Sequence, residues 1–167
     1  MNIEIIIIEG IIFAILFTIM VFISAKKEKD SVANIHNYPK EIQDEYFKTH
    51  ERIDVSYKSK KVIITKGIAV FIFTVILLLC AYFAGAKTFF DGFIITFSLM
   101  LWIGLYDTLF IDWVLFANMK IFRLEGTEHM DKEYHQKWFH LKGMLFPGLI
   151  IAIIPSVIVG GIITLIK

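Results

Sequence analysis

The chain has 167 residues, 57% of them apolar or aromatic and only 20% charged, with a mean hydropathy of +0.69. Counting Gly and leaving out Tyr puts the apolar fraction at roughly 59%, against about 45–50% for a soluble domain. This excludes a free soluble enzyme domain and an apolar-poor disordered chain. The net charge of +1 gives nucleic acid no footing, and the single Cys80 excludes a disulfide framework or a CxxC centre.

Four apolar runs, at about 3–25, 62–85, 92–117 and 144–166, are each long enough to cross a bilayer, which takes about 20 helical residues. The expected fold is an all-α integral membrane protein. It is a four-transmembrane-helix bundle forming one domain over 1–167, with two short amphipathic helices at the cytoplasmic surface. The cytoplasmic loops are expected at about 26–61 and 118–143.

In the first run Glu4 and Glu9 lie near the start and no basic residue precedes them. Its apolar stretch is longer than a signal peptide's core, so a retained helix is expected. Glu9 falls a turn or two inside the outer face. In the following loop Asn37 is placed to cap a helix with Pro39 in its first turn, and Ile42, Tyr46, His50 and Ile53 recur at helical spacing. Lys66 sits one turn inside the second run, where its long stem can snorkel to the headgroups.

The third run carries two acids. Asp107 lies well inside it, and Asp112 is about one and a half turns further on, beside Trp113 and close to the inner interface. An Asp at a helix centre costs about 2.5–3.5 kcal/mol on insertion, and the fourteen Leu, Ile, Phe and Val of this run offset only about 4–8 kcal/mol in total. The run should therefore insert poorly alone and need neighbours that hide or hydrate Asp107. Gly92, Thr96, Met100, Gly104, Thr108 and Asp112 also recur at intervals of four along it.

In the next loop Gly126 breaks the extension of the third run and Thr127 is placed to cap another helix. Met130, Tyr134, Trp138 and Leu141 form one apolar stripe, with Glu133, Gln136, Lys137 and His140 off it. Such a helix lies along the inner membrane surface. His135, Lys137, His140 and Lys142 are its candidates for meeting a lipid headgroup. Glu125, His129 and Glu133, and separately Asp131 and His135, have the spacing of shared metal ligands on a helix. Gly126 interrupts the first array and neither matches HExxH, so no metal is assigned.

The fourth run holds a ridge of small residues, Gly148, Ala152, Ser156 and Gly160, continued by Thr164. Ridges of this kind let helix backbones approach closely. Pro147 is tolerated near the start, whereas Pro155 is expected to kink the middle and free the Ile151 carbonyl.

Fourteen Lys and Arg fall in the two longer loops, against Lys87 and Lys167 on the other side. By the positive-inside rule both termini face away from the cytoplasm. There is no Walker A, no GxSxG and no haem-ligating His pair, so no cofactor is expected and no catalytic residue is assigned. The expected function is a transport or permeation protein, as a homo-oligomer, with an acid-lined cation- or proton-accessible path built on Asp107, Asp112 and Glu9. The alternatives are a membrane-embedded enzyme or binder of a lipid or other hydrophobic small molecule, and an accessory subunit of a larger membrane complex. The bilayer is the partner in each case.

Overall fold

The structure is a computed structural model that describes residues 1–27, 32–52 and 60–166; the side chains of 27, 32–34, 60–63, 65 and 66 are not described. The expected snorkelling of Lys66, the helical continuation to Ile53, and Lys27, Lys29, Lys58, Lys60, Lys61 and Lys167 fall outside this description. The described residues form helices and turns only. The long helices are α1 (Ile3–Lys27), α3 (Lys60–Phe83), α4 (Phe89–Tyr106) and α7 (Leu149–Ile166). Between them lie three short helices: α2 (Lys40–Tyr46), α5 (Asp131–Tyr134) and α6 (Lys137–Gly143). Three helical stretches are long and apolar enough to cross a membrane: Ile3–Lys26, Phe89–Phe116 and Asp131–Ile166. The expected second span falls on α3, whose described apolar part, Gly67–Phe83, is shorter.

The chain divides into two compact units. The first comprises Met1–Ala14, Ser56–Gly104 and Leu145–Lys167. Its core is small and aliphatic: Leu77 and Ala81 of α3, Ala84 and Ala86 of the following turn, Ile95 and Leu99 of α4, and Val159 and Ile163 of α7. Ile5, Ile6 and Phe13 of α1 pack against it. Small residues set the closeness of the helices. A Cβ on Gly92 would lie 3.0 Å from the Gly160 Cα, so α4 and α7 meet backbone to backbone. Gly10 plays a similar part for Trp102, whose indole N–H donates to the Gly10 carbonyl at 2.9 Å.

Of the small ridge on α7, Ala152, Ser156 and Gly160 are buried, while Gly148 is half-buried in the irregular turn before the helix. The break in helical backbone falls at Phe146 (φ −150, ψ 114), before Pro147, and α7 continues through Pro155. Within α7 the Ser156 hydroxyl donates to the Ala152 carbonyl at 2.7 Å, a local bond that lets a hydroxyl sit among apolar neighbours.

Two helix starts are capped in ways the pattern reading missed. The Asn2 side chain accepts the N–H groups of Glu4 and Ile5 at 3.0 and 3.3 Å. Thr88 and Asp91 form a reciprocal box at the start of α4. The Thr88 hydroxyl accepts the Asp91 N–H at 3.2 Å, and the Asp91 carboxylate accepts those of Lys87 and Thr88 at 3.0 Å. Preceding them, Gly85 turns the chain with φ +82, a conformation a side chain would strain. Thr88→Ala is expected to cost about 1 kcal/mol of stability, measurable as a lowered unfolding midpoint in detergent. An unchanged midpoint would show that the box is energetically silent.

The second unit comprises Ile15–Val55 and Leu105–Met144. Its core is aromatic: Ile42, Phe116, Phe122 and Tyr134 are buried, with Phe22 and Tyr38 packed against them. Ile42 and Tyr46 are the buried face of α2, but Pro39 stands at the cap position, Asn37 ends a preceding 3₁₀ turn, and His50 lies beyond the helix end. Thr127 is not a cap either. Its hydroxyl donates to the Leu124 carbonyl at 2.9 Å and lies 2.7 Å from the Tyr134 hydroxyl. The expected single helix through Met130 and Leu141 is two, broken at His135 and Gln136, with Trp138 72% exposed rather than aligned with buried Tyr134.

Candidate functional site

The backbone of the third expected span changes register at Asp107. From Asp107 to Phe116 it is a π-helix, and the Ala117 N–H at its end donates to the Asp112 carbonyl, five residues back. On an α-helix of 3.6 residues per turn Asp107 and Asp112 would point about 140° apart. Closing each turn over five residues brings position i+5 back toward i, so both acids turn toward one side. π-turns are rare and recur at functional sites. Asp107 and Asp112 interact electrostatically with each other, and Asp107 also feels His140.

His140 comes from α6, which packs against the π segment. Its Nδ1–H donates to the Asp112 carboxylate at 3.0 Å, with side-chain exposures of 7% for His140 and 19% for Asp112. The imidazole edge faces the Phe116 ring at 5.2 Å. Its second nitrogen, Nε2, is enclosed and makes no hydrogen bond among the described residues. A buried carboxylate–imidazole pair of this kind fixes the ring's orientation.

A shallow cleft, with no interior room for a water-sized molecule, opens beside this pair. Asp112, Trp113 and Ala117 line it from the π segment and its end, Tyr134 and His135 from α5 and its end, and Lys137 and His140 from α6. Its walls are braced from several directions. The Trp113 indole N–H donates to the Lys137 carbonyl at 3.3 Å, and the Lys137 ammonium lies 5.1 Å above the Trp113 ring. His135 Nδ1–H donates to the Asp131 carbonyl at 2.6 Å. Behind the cleft, Tyr134 is held by Arg123, whose guanidinium stacks 3.9 Å above its ring while bonding the Ala117 carbonyl and the Asp131 carboxylate, each at 2.8 Å. Arg123 is therefore a structural cation, 8% exposed, rather than a loop charge in solvent.

Of the residues singled out from sequence, the cleft gathers Asp112, His135, Lys137 and His140, with Asp107 in electrostatic reach. Lys142 is exposed on α6 and does not line it. Glu9 belongs to the first unit, where one of its carboxylate oxygens is enclosed without a hydrogen-bond partner among the described residues. The metal spacings resolve differently: His135 bonds the Asp131 backbone, and Glu125 lies 3.9 Å from His50. Among the described residues no three His, Cys, Asp or Glu side chains gather around one point. Sequence reading missed Arg123 and Trp113 as parts of the site. The only local signal was their spacing from the acids, which says nothing of a partner 24 residues away.

Compared with known proteins, the chain matches no family model, no curated protein and no solved structure. The functional reading therefore rests on the site itself.

Proposed function

We propose that the chain crosses the membrane four times, with α3 as the additional crossing, and binds a lipid or other amphipathic small molecule at the cytoplasmic side. The observation that carries this reading is the cleft of the second unit, where an Asp–His pair, a lysine and an indole meet at the end of an apolar helix. Charged and aromatic groups side by side at the end of an apolar helix suit a molecule that has a head and a tail. The surface of α6 agrees: Trp138 is 72% exposed, and Lys137 and Lys142 are exposed on the same helix. Indole rings and lysine stems together are the usual residents of a membrane–water interface. The charge bias of the loops supports a cytoplasmic position for this side, with both termini outside.

Purified protein is expected to retain phospholipid through detergent exchange, seen as a bound mass by native mass spectrometry. Protein that emerges free of any bound molecule would overturn the reading.

A cation- or proton-accessible path is the second reading, favoured by Asp107, a half-buried acid in electrostatic contact with Asp112 and His140. It requires ion- or pH-driven flux in liposomes that Asp107→Asn abolishes. Flux unchanged in that variant would discard it.

A further inference from the structure

The helix α6 has two unlike faces. His140 is turned inward, 7% exposed and bonded to Asp112, which fixes the rotation of the helix about its axis. At about 100° per residue, Trp138 and Lys142 each stand about 160° from His140 and about 40° from one another. Both are exposed, as that geometry requires, Trp138 by 72%. Neither makes a hydrogen bond or an ion pair among the described residues, so an indole N–H and an ammonium stand one turn apart with nothing to bond. The helix carries Lys137, His140 and Lys142 and no acidic residue. Its depth is set by its grip on Asp112, in the last turns of the apolar stretch Phe89–Phe116, where hydrocarbon gives way to headgroups. An indole at that level shelters its ring while its N–H stays bonded, and a lysine stem reaches the same zone.

We propose that the Trp138–Lys142 face of α6 is a docking surface for an anionic phospholipid of the inner leaflet, the ammonium and the indole N–H both donating to its phosphate. The proposal rests on the membrane-crossing part of the reading above and needs no occupant in the cleft. It assigns the lipid's charge, which the cleft leaves open. A zwitterionic headgroup carries the same phosphate with a positive charge beside it, so Coulomb attraction to Lys142 singles out the anionic one. Because α6 has no carboxylate of its own, nothing on the helix opposes that attraction. His140 takes no part in the contact and acts as the pin that keeps the opposite face outward.

The test uses the full chain in nanodiscs of phosphatidylcholine and phosphatidylglycerol, with brominated chains, which quench nearby indoles, carried by one lipid or by the other. The Trp138 signal is the wild-type emission less that of Trp138→Phe, which separates it from Trp102 and Trp113. Phosphatidylglycerol is expected to occupy the place beside Trp138 about fivefold over phosphatidylcholine, the weight of one lysine at a membrane surface. Lys142→Gln should bring that ratio to about onefold. Lys132→Gln removes an equal charge from the exposed side of α5 and should leave the ratio unchanged. Equal quenching by the two lipids would overturn the proposal and leave the lipid reading standing, since retention through detergent exchange decides that separately. Quenching by aqueous iodide and by neither lipid would place the face in water and also overturn it. An equal fall with Lys132→Gln would make the preference one of diffuse charge, with no site on α6, and likewise defeats it.

Discussion

Gly160→Ala is expected to destabilise the folded protein by about 1–3 kcal/mol, the range for forcing extra atoms into a close-packed contact. A Cβ at this position would stand 2.7 Å from the Phe89 carbonyl oxygen and 3.0 and 3.1 Å from the Phe89 ring. The ring can turn aside, but the carbonyl belongs to the first turn of α4 and moves only with the helix. Gly92→Ala meets the same crossing from the other side, 3.0 Å from the Gly160 Cα. The adjacent Gly161 is the internal control. Nothing lies within 4 Å of a Cβ there, and Ala is a better helix former than Gly by about 1 kcal/mol. Gly161→Ala should therefore be neutral or mildly stabilising. Unfolding in mixed micelles, followed by circular dichroism, measures both. Equal losses at 160 and 161 would show that the close approach of α4 and α7 does not limit stability.

The second large effect is expected at the Asp112–His140 pair. His140→Ala removes the one donor that the Asp112 carboxylate receives from α6, leaving a mostly enclosed charge without its partner. The expected loss is about 2–3 kcal/mol, somewhat below the ~3–5 kcal/mol of a fully enclosed pair because Asp112 keeps some contact with solvent. Asp112→Asn in the His140→Ala background should recover part of that loss, since a neutral amide needs less compensation than a carboxylate. The double-mutant cycle isolates the coupling, which should be at least about 1 kcal/mol. Additive single and double variants would mean that the two groups do not stabilise one another.

The reasons some features could be read from the pattern and others could not are physical. Composition and run length depend on single residues, so the apolar stretches over α1, α4 and α7 are plain from the sequence. The fourfold spacing of Ala152, Ser156 and Gly160 is likewise local, and these residues lie on the buried face of α7. The costly acid in the third span directed attention to the stretch where the backbone becomes a π-helix. The register change at Asp107 was invisible, because α- and π-turns are built from the same residues and differ only in which carbonyl each N–H reaches. The partner of Asp112 was invisible for a different reason: His140 arrives from another helix 28 positions away, and spacing within one helix cannot report it. The break at Phe146 lies beside Pro147, a proline that looks merely tolerated from the sequence. A helix can pass through Pro155 when only one carbonyl loses its donor, whereas the backbone at Phe146 leaves helical geometry altogether. In the loop, the stripe through Tyr134 and Trp138 has correct helical spacing, but the helix stops at His135, so the two rings part company.

The wide turns between Asp107 and Phe116 also govern how this stretch tolerates change in length. Deleting one residue between Asp107 and Asp112 would let the hydrogen bonds relax to the ordinary four-residue register, and the two acids, then four apart, would still share a side. Closing the same residues over four-residue turns without a deletion would instead carry Asp112 about 140° from Asp107 and away from His140. Replacements at Leu109, Phe110 and Val114, which all point outward, leave that phase intact so long as they stay apolar. In evolution such a segment accepts new letters freely on its greasy side and tolerates the loss of the one extra residue that widens a turn, which a collection of diverged sequences would display as substitutions with single-residue gaps.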